Sequence, residues 1–225
     1  MQFYFIRHGQ SENNALWLRT GSEEGRSDDP GLTDLGRRQT EALARFLVTA
    51  DLGITHLYTS LMIRAVATGT ILAEALGLPL VAWEDLHEVG GIYLEDKATG
   101  ERVGRAGANR AYFAAHYPGL ILPDSVTEAG WWNRPFEERE QRPARARRFL
   151  AGLKARHGHT DDRVAVISHG GFYNHLLAVL LDMPTREGYW FVLHNTALSR
   201  IDFPGERVEL VYLNRIDHLP PDWLT

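Results

Sequence analysis

The chain has 225 residues and a formal net charge of −5, and its 44% hydrophobic and 24% charged residues are the proportions of an ordinary globule. That length suits one α/β domain with an insertion, and the acidic balance argues against nucleic acid as the main partner. Cysteine is absent, so disulfides, thiolate catalysis and cysteine-containing zinc sites are excluded; no apolar run nears the ~18 residues that span a bilayer, and the first residues carry no secretory signal.

In chain order, residues 3–6 form a short unbroken apolar run, which reads as a strand buried on both faces. It stops at Arg7-His8-Gly9, where the loop leaving a parallel strand's carboxyl end is the usual place for a ligand. Residues 11–20 should start helically and open into a loop, and the glycine-rich polar run 21–31 reads as exposed. Thr33 or Asp34 caps a helix whose buried face is Leu35, Gln39, Ala42, Leu43, Phe46 and Leu47. A second strand at 55–58 leads through Thr59-Ser60 into a helix over about 61–76, and a short third strand follows at 80–82. From 85 to 141 glycines interrupt the pattern, with one helix near 109–117; this stretch reads as an excursion covering one end of the sheet. Pro143 opens a helix with a packing stripe of Ala146, Phe149, Leu150 and Leu153, and Arg145, Arg147 and Arg148 are taken as its solvated face. Residues 164–167 repeat the first strand's pattern and end in Ser168-His169-Gly170-Gly171, followed by an apolar helix. Strands at 197–203 and 208–213 join through Pro204-Gly205, and the tail from 216 reads as irregular. Strands alternating with helices predict an α/β fold: a three-layer sandwich with a mostly parallel central sheet flanked by helices. We expect one domain over 1–225, with a cap-like insertion at about 90–141 covering the active-site edge.

Two strands of one sheet would thus each deliver a His-Gly to the same edge. Arg64 sits one turn into a helix that directly follows a strand, where free N–H groups and the helix dipole attract phosphate and a guanidinium grips two phosphate oxygens. Alone it would be a surface arginine. Together, Arg7, Arg64, His8 and His169 form a cage suited to one phosphoryl group, in which a neutral imidazole can attack phosphorus while arginines carry the charge. The leaving oxygen then needs an acid, and Glu88, just beyond the third strand, can reach the same edge.

Arg7-His8-Gly9-Gln10-Ser11, the Leu32-Thr33-Asp34-Leu35-Gly36 helix start with Gln39, Tyr58-Thr59-Ser60 with Arg64 and Thr68, and Val166-Ile167-Ser168-His169-Gly170-Gly171 stand in the order of the histidine phosphatase superfamily. The chain resembles its phosphoglycerate mutase-like branch from residue 2 to about 215, apart from 96–141. The resemblance implies that His8 is the phosphorylated nucleophile, that Arg7, Arg64 and His169 bind the phosphoryl group, and that Glu88 is the proton donor. Asn14 matches a phosphate-contacting asparagine, and Thr20-Gly21 a substrate-contacting pair; Gly170, beside His169, joins the substrate-binding set. Ser22 replaces the tryptophan expected next, and Glu88-Val89-Gly90-Gly91 stands where mutases have Glu-Arg-His-Tyr-Gly. Those departures favour a phosphatase over a mutase.

The resulting expectation is a metal-independent, cofactor-free phosphatase of a small phosphorylated metabolite in the cytoplasm, with no nucleic-acid or membrane partner; a homodimer is left open. The alternatives are a mutase-like phosphotransferase and a non-enzymatic phospholigand binder, which would need neither nucleophile nor acid. Among other residues, 157–159 read as a helix end with an exposed turn, 194–196 as backbone support near the cage, and Trp131-Trp132 as a substrate mouth or a packed lid.

Overall fold

The computed structural model of the chain describes residues 1–184 and 188–225. Its strands are β1 (Gln2–Arg7), β2 (His56–Thr59), β3 (Leu80–Ala82), β4 (Tyr93–Glu95), β5 (Arg102–Gly104), β6 (Leu120–Ile121), β7 (Arg163–Ser168), β8 (Leu198–Asp202) and β9 (Glu209–Arg215). Its α-helices are α1 (Glu12–Thr20), α2 (Asp34–Ala50), α3 (Ile63–Leu76), α4 (Arg110–His116), α5 (Arg142–His157) and α6 (Gly170–Leu180). Among the described residues, β4 and β5 form a small ribbon and the other strands make one sheet, ordered β6-β3-β2-β7-β1-β8-β9. Its pairs from β6 to β1 are parallel, and β8 and β9 add an antiparallel edge.

Period-two alternation sends successive side chains to opposite faces of this sheet. Phe3, Phe5, Val164 and Val166 pack with Phe149 of α5 and Phe172 of α6. Tyr4, Ile6, Ala165 and Ile167 pack on the other side with Leu43 of α2 and Ala65 of α3. Helices therefore cover both faces, which is why these strands read as continuous apolar runs. Burying a side chain such as Phe5 contributes about 1.5–3 kcal/mol, and both central strands do so on each face. The three-layer α/β sandwich is the observed fold.

Residues 90–141 pack on the β3 side of the sheet. Ile92, Phe113, Val126, Trp131 and Trp132 form a third core with Leu61, Met62 and Val66 at the start of α3. Trp131 and Trp132 are thus packed in a lid and do not form a substrate mouth. β6 extends the main sheet beside β3, and the β4–β5 ribbon was not foreseen either; both are too short to show a period in sequence.

Three local expectations need correction. α3 starts at Ile63 rather than 61, because Leu61 and Met62 turn inward to the third core. The 21–31 run is not wholly exposed: Pro30 is buried, and Asp29 Oδ1 accepts from Ile63 N at 3.1 Å. Arg147 and Arg148 are solvated, but Arg145 is buried. Its Nε and Nη2 donate to the two carboxylate oxygens of Glu137 at 2.6 and 2.8 Å, and its Nη1 donates to the carbonyls of Asp85 and His87, both at 2.8 Å. Charge alone could not distinguish it from its neighbours, because its partners lie on other elements.

Arg145→Ala should therefore leave a buried Glu137 carboxylate and two carbonyls without their donor, and breaking such a pair costs about 3–5 kcal/mol. Denaturant unfolding checks this against exposed Arg147→Ala, which should stay within about 0.5 kcal/mol of wild type. Equal effects of the two would show that the buried pair does not brace the fold.

Candidate active site

The parallel register places the candidate residues side by side. Arg7 pairs with Ser168 across β1 and β7, and Thr59 pairs with Ile167 across β2 and β7. One residue further on, the N–H of His8 donates to Ser168 O and that of Ser60 to Ile167 O, both at 3.0 Å. His8, His169 and Ser60 therefore leave three adjacent strands at one edge, the carboxyl ends of the parallel sheet.

The loop carrying His8 is bound from several sides. Gly9 N donates to Thr68 Oγ1 at 3.0 Å, Gln10 N to Gln39 Oε1 at 2.8 Å, and Asn195 Nδ2 to His8 O at 2.9 Å. Gly9 packs against the backbone of Gly36 at the start of α2; a methyl group on Gly9 would collide with Gly36 O, and one on Gly36 with the backbone of Gln10. The expected backbone support from 194–196 is thus present; Thr196 N donates to Arg7 O at 3.0 Å. The tail is irregular but engaged, since Asn195 N donates to Thr225 O at 2.9 Å.

His8 Nδ1 lies 2.6 Å from Gly9 O. A carbonyl only accepts, so Nδ1 carries the proton. Burial, reinforced by the Arg64 and Arg7 guanidiniums, pushes His8 well below the usual imidazole value against the opposing bond to Gly9 O, so the ring is neutral. Its lone pair is then on Nε2, which accepts from Arg64 Nε at 3.2 Å. Arg64 Nη1 lies 3.7 Å from Asp29 Oδ1. Burial raises Asp29 to about 7, with Arg64 opposing. Arg7 donates from Nη1 to Leu193 O at 2.5 Å, and burial lowers it to about 10, with Glu88 opposing and Arg64 adding. It therefore stays charged at neutral pH.

The His169 ring centroid is 5.0 Å from that of His8. His169 Nε2 lies 2.9 Å from Ser60 Oγ, and burial with nearby Arg64 keeps its ring neutral. Among the described residues, His169 Nδ1 and Arg7 Nε are buried nitrogens with no hydrogen-bond partner. Both stand beside the nucleophile candidate.

Glu88 caps the start of α6. Its Oε1 accepts from Val89 N at 2.8 Å and Phe172 N at 3.0 Å, and its Oε2 from Gly171 N at 3.2 Å. A methyl group on Gly171 would collide with that carboxylate. Asn14 Oδ1 accepts from Ser11 N at 3.1 Å and Asn195 Nδ2 at 3.2 Å, which leaves its amide NH2 for a ligand.

A cavity of about 400 Å³ opens above this group. Arg7, His8, Asn14, Arg64, Glu88 and Gly170 line it, and His169 is fully buried beside His8. Thr20 and Gly21 do not line it. Residues 12–20 are helical throughout: Thr20 Oγ1 folds back to Leu16 O at 2.8 Å, and Gly21 is the left-handed cap (φ 64°) whose N–H donates to Trp17 O. These bonds end α1 outside the cavity, apart from the residues that line it. Trp17, Arg26 and Trp190 line it and were missed. One signal was available for Trp17, because an indole on a short polar helix has no obvious core to enter.

Among the described residues, the grouping with metal-ligand spacing is His56, His157 and Asp162, at the opposite end of the sheet. His157 is buried rather than in an exposed turn. Its Nε2 lies 3.0 Å from Tyr58 OH and its Nδ1 2.8 Å from Asp162 Oδ2.

A sequence model of the histidine phosphatase superfamily (branch 1) matches residues 3–216. The chain is 28% identical over 225 residues to a Hydrogenobacter thermophilus protein named as a phosphoserine phosphatase, covering 96% of this chain and 97% of that protein. It is 29% identical over 206 residues to a Yersinia pestis protein named as a phosphoglycerate mutase, covering 90% of this chain and 85% of that one. A histidine-to-alanine mutant of Entamoeba histolytica phosphoserine phosphatase, solved with phosphoserine, superposes with a TM-score of 0.64 at 19% identity, over 97% of this chain and 99% of that one. That likeness shows the shared fold.

The buried neutral imidazoles imply an acid-sensitive fold. His8, His87 and His169 sit well below 6.5, and His175 and His218 fall to about 4, in each case chiefly through burial. The unfolded chain protonates all five below pH 6.5, whereas Asp29, at about 7, holds one extra proton when folded. At pH 5, five histidines against one aspartate leave about four protons taken up on unfolding. Stability should therefore fall steadily from pH 7 to pH 5 in denaturant titrations; a flat profile would contradict neutral buried rings.

Proposed function

Because the chain belongs to branch 1 of the histidine phosphatase superfamily, we propose that it hydrolyses a small phosphomonoester through phospho-His8 without a metal ion. The observation that carries this reading is the neutral His8 ring, with its lone pair on Nε2 beside Arg64 and with Arg7 and Glu88 in the same cavity. A pure phosphate binder needs no such nucleophile.

In the first step Nε2 attacks phosphorus, the new P–N bond forms and the P–O bond to the alcohol breaks. Arg64 turns from Nε2 to the phosphoryl oxygens. Arg7 Nε, the Asn14 amide and His169 Nδ1 are further donors for them, the last once Ser60 Oγ–H donates to His169 Nε2. These groups bear the charge that a divalent ion would otherwise neutralise. Glu88 passes a proton to the departing alkoxide oxygen. In the second step the Glu88 carboxylate takes a proton from water, whose oxygen attacks phosphorus, and inorganic phosphate leaves with His8 neutral again. Gly170 lets the phosphoryl group approach the start of α6 closely.

The phosphoserine and phosphoglycerate names of the relatives fit a small phosphorylated metabolite as substrate. Among the described residues, no helix is long and apolar enough to cross a membrane. A cysteine-free chain suits the cytoplasm, and the whole chain reads as one domain in which 90–141 form the cap-like insertion. A mutase-like transfer shares the first step, and it is favoured only if bisphosphoglycerate stimulates turnover.

Activity should survive strong chelation; a loss restored by a divalent ion would sink the metal-free step. His8→Ala should leave less than about 1% of wild-type turnover, in keeping with the ~10²–10⁴-fold cost of losing even general acid–base help. Glu88→Gln should slow alkyl phosphates by ~10²–10⁴-fold and p-nitrophenyl phosphate much less, since nitrophenolate leaves unaided. Arg64→Ala should slow both alike, because the group it grips is common to them. If Glu88→Gln slowed the two substrates equally, Glu88 would not be the acid.

A further inference from the structure

The cavity is larger than a phosphoryl group needs, and its outer wall has a chemistry of its own. Leu16 and Trp17 of α1, Tyr93 of β4, and Trp190 and Leu193 line it above the charged floor. None of the α1 residues is buried. Trp17 is 54% exposed and Trp190 64% exposed, so neither indole serves a core. Single exposed apolar residues are unremarkable, but two indoles on the rim of the catalytic cavity are placed where a ligand would cover them.

The polar groups of the same rim contact one another and the neighbouring loop. Asn13 holds the loop to α1, donating from Nδ2 to Ser27 O at 2.8 Å and accepting from Ser27 N at 3.0 Å. Arg26 lies over the Tyr93 ring at 4.4 Å and donates to Glu23 Oε2 at 3.2 Å. Beside Arg26, what this wall offers an incoming molecule is therefore the flat apolar surface of the two indoles. We infer that the substrate is a phosphomonoester whose alcohol carries an aromatic ring system, seated against Trp17 and Trp190 while its phosphate meets His8. This rests on the phosphatase reading above and names the substrate class for that site.

The test pairs 2-(2-naphthyl)ethyl phosphate with ethyl phosphate. Both release a primary alkoxide, so the step assigned to Glu88 is common to them. In wild type the naphthyl ester should have kcat/KM about tenfold or more above ethyl phosphate, the scale of a ring stacked on an indole. The ratio should drop several-fold in Trp17→Ala or Trp190→Ala and approach one in the double variant. A ratio near one in wild type, or one that neither substitution moves, would overturn the inference. Failure of the phosphatase reading looks different: neither ester would release phosphate. Binding can then be read without turnover, by titrating the His8→Ala variant with the naphthyl ester. Quenching of indole emission that disappears with Trp17→Ala and Trp190→Ala supports the aromatic seat, and quenching that persists or never occurs rules it out.

Discussion

The bond from His8 Nδ1–H to the carbonyl of Gly9, 2.6 Å long, sets the chemistry of the site. It puts the proton on the nitrogen facing the backbone and leaves the lone pair on the one facing the cavity. Such a bond selects a tautomer only if the peptide itself cannot move. The loop is accordingly held by Ser168 O on one side, Thr68 and Gln39 on another and Asn195 from beneath. The backbone contact of Gly9 with Gly36 removes the remaining slack. A position that elsewhere would be a tolerant turn is here fixed from several elements at once, and small changes in distant anchors should be felt at Nε2.

Charge is managed with similar economy. Arg7, Arg64 and Arg145 are all withdrawn from water, and each has an anion within reach: Glu88, Asp29 and Glu137 in turn. The pairings differ in strength and so in purpose. Arg145 and Glu137 make a bidentate pair that fastens the carbonyls of Asp85 and His87, and so places the turn that presents Glu88. Asp29 is a weaker partner for Arg64, since burial holds its carboxyl near 7 and the separation is 3.7 Å. A guanidinium paired so loosely can turn to a phosphoryl dianion, where bidentate contact is stronger. Structural and chemical arginines are thus distinguished by how completely their counter-ions satisfy them.

The site divides into a floor and a rim with different origins. The floor comes from strand ends and helix starts, whose positions follow from the sheet register. The rim comes from α1, the loop carrying Arg26, the β4 ribbon and the segment of Trp190 and Leu193. Apart from Leu193, which is buried in the first core, the rim residues stand outside the three apolar cores and can vary without unfolding the sandwich. The groups proposed for the chemistry stand on the floor, and those proposed to meet the rest of the substrate stand on the rim.

The sequence by itself determined the buried strands, the alternation with helices and the two His-Gly units, because these depend on local patterns of apolar residues and on glycine. It also carried the ordered motifs of Arg7-His8, Arg64 and His169, whose spacing is written along the chain. Arg145 was misread as solvent-facing and Asp29 as part of an exposed loop, and the indoles of Trp17 and Trp190 went unassigned. Each of these depends on a partner carried by another part of the fold: Glu137 and the carbonyls of Asp85 and His87 for Arg145, Arg64 for Asp29, and the shared cavity for the two indoles. Local pattern records which residues an element would bury, but not what it meets when the sheet closes around it. Only the tertiary structure decided which cation braces the fold, which one stands loosely paired beside His8, and what kind of surface rims the cavity.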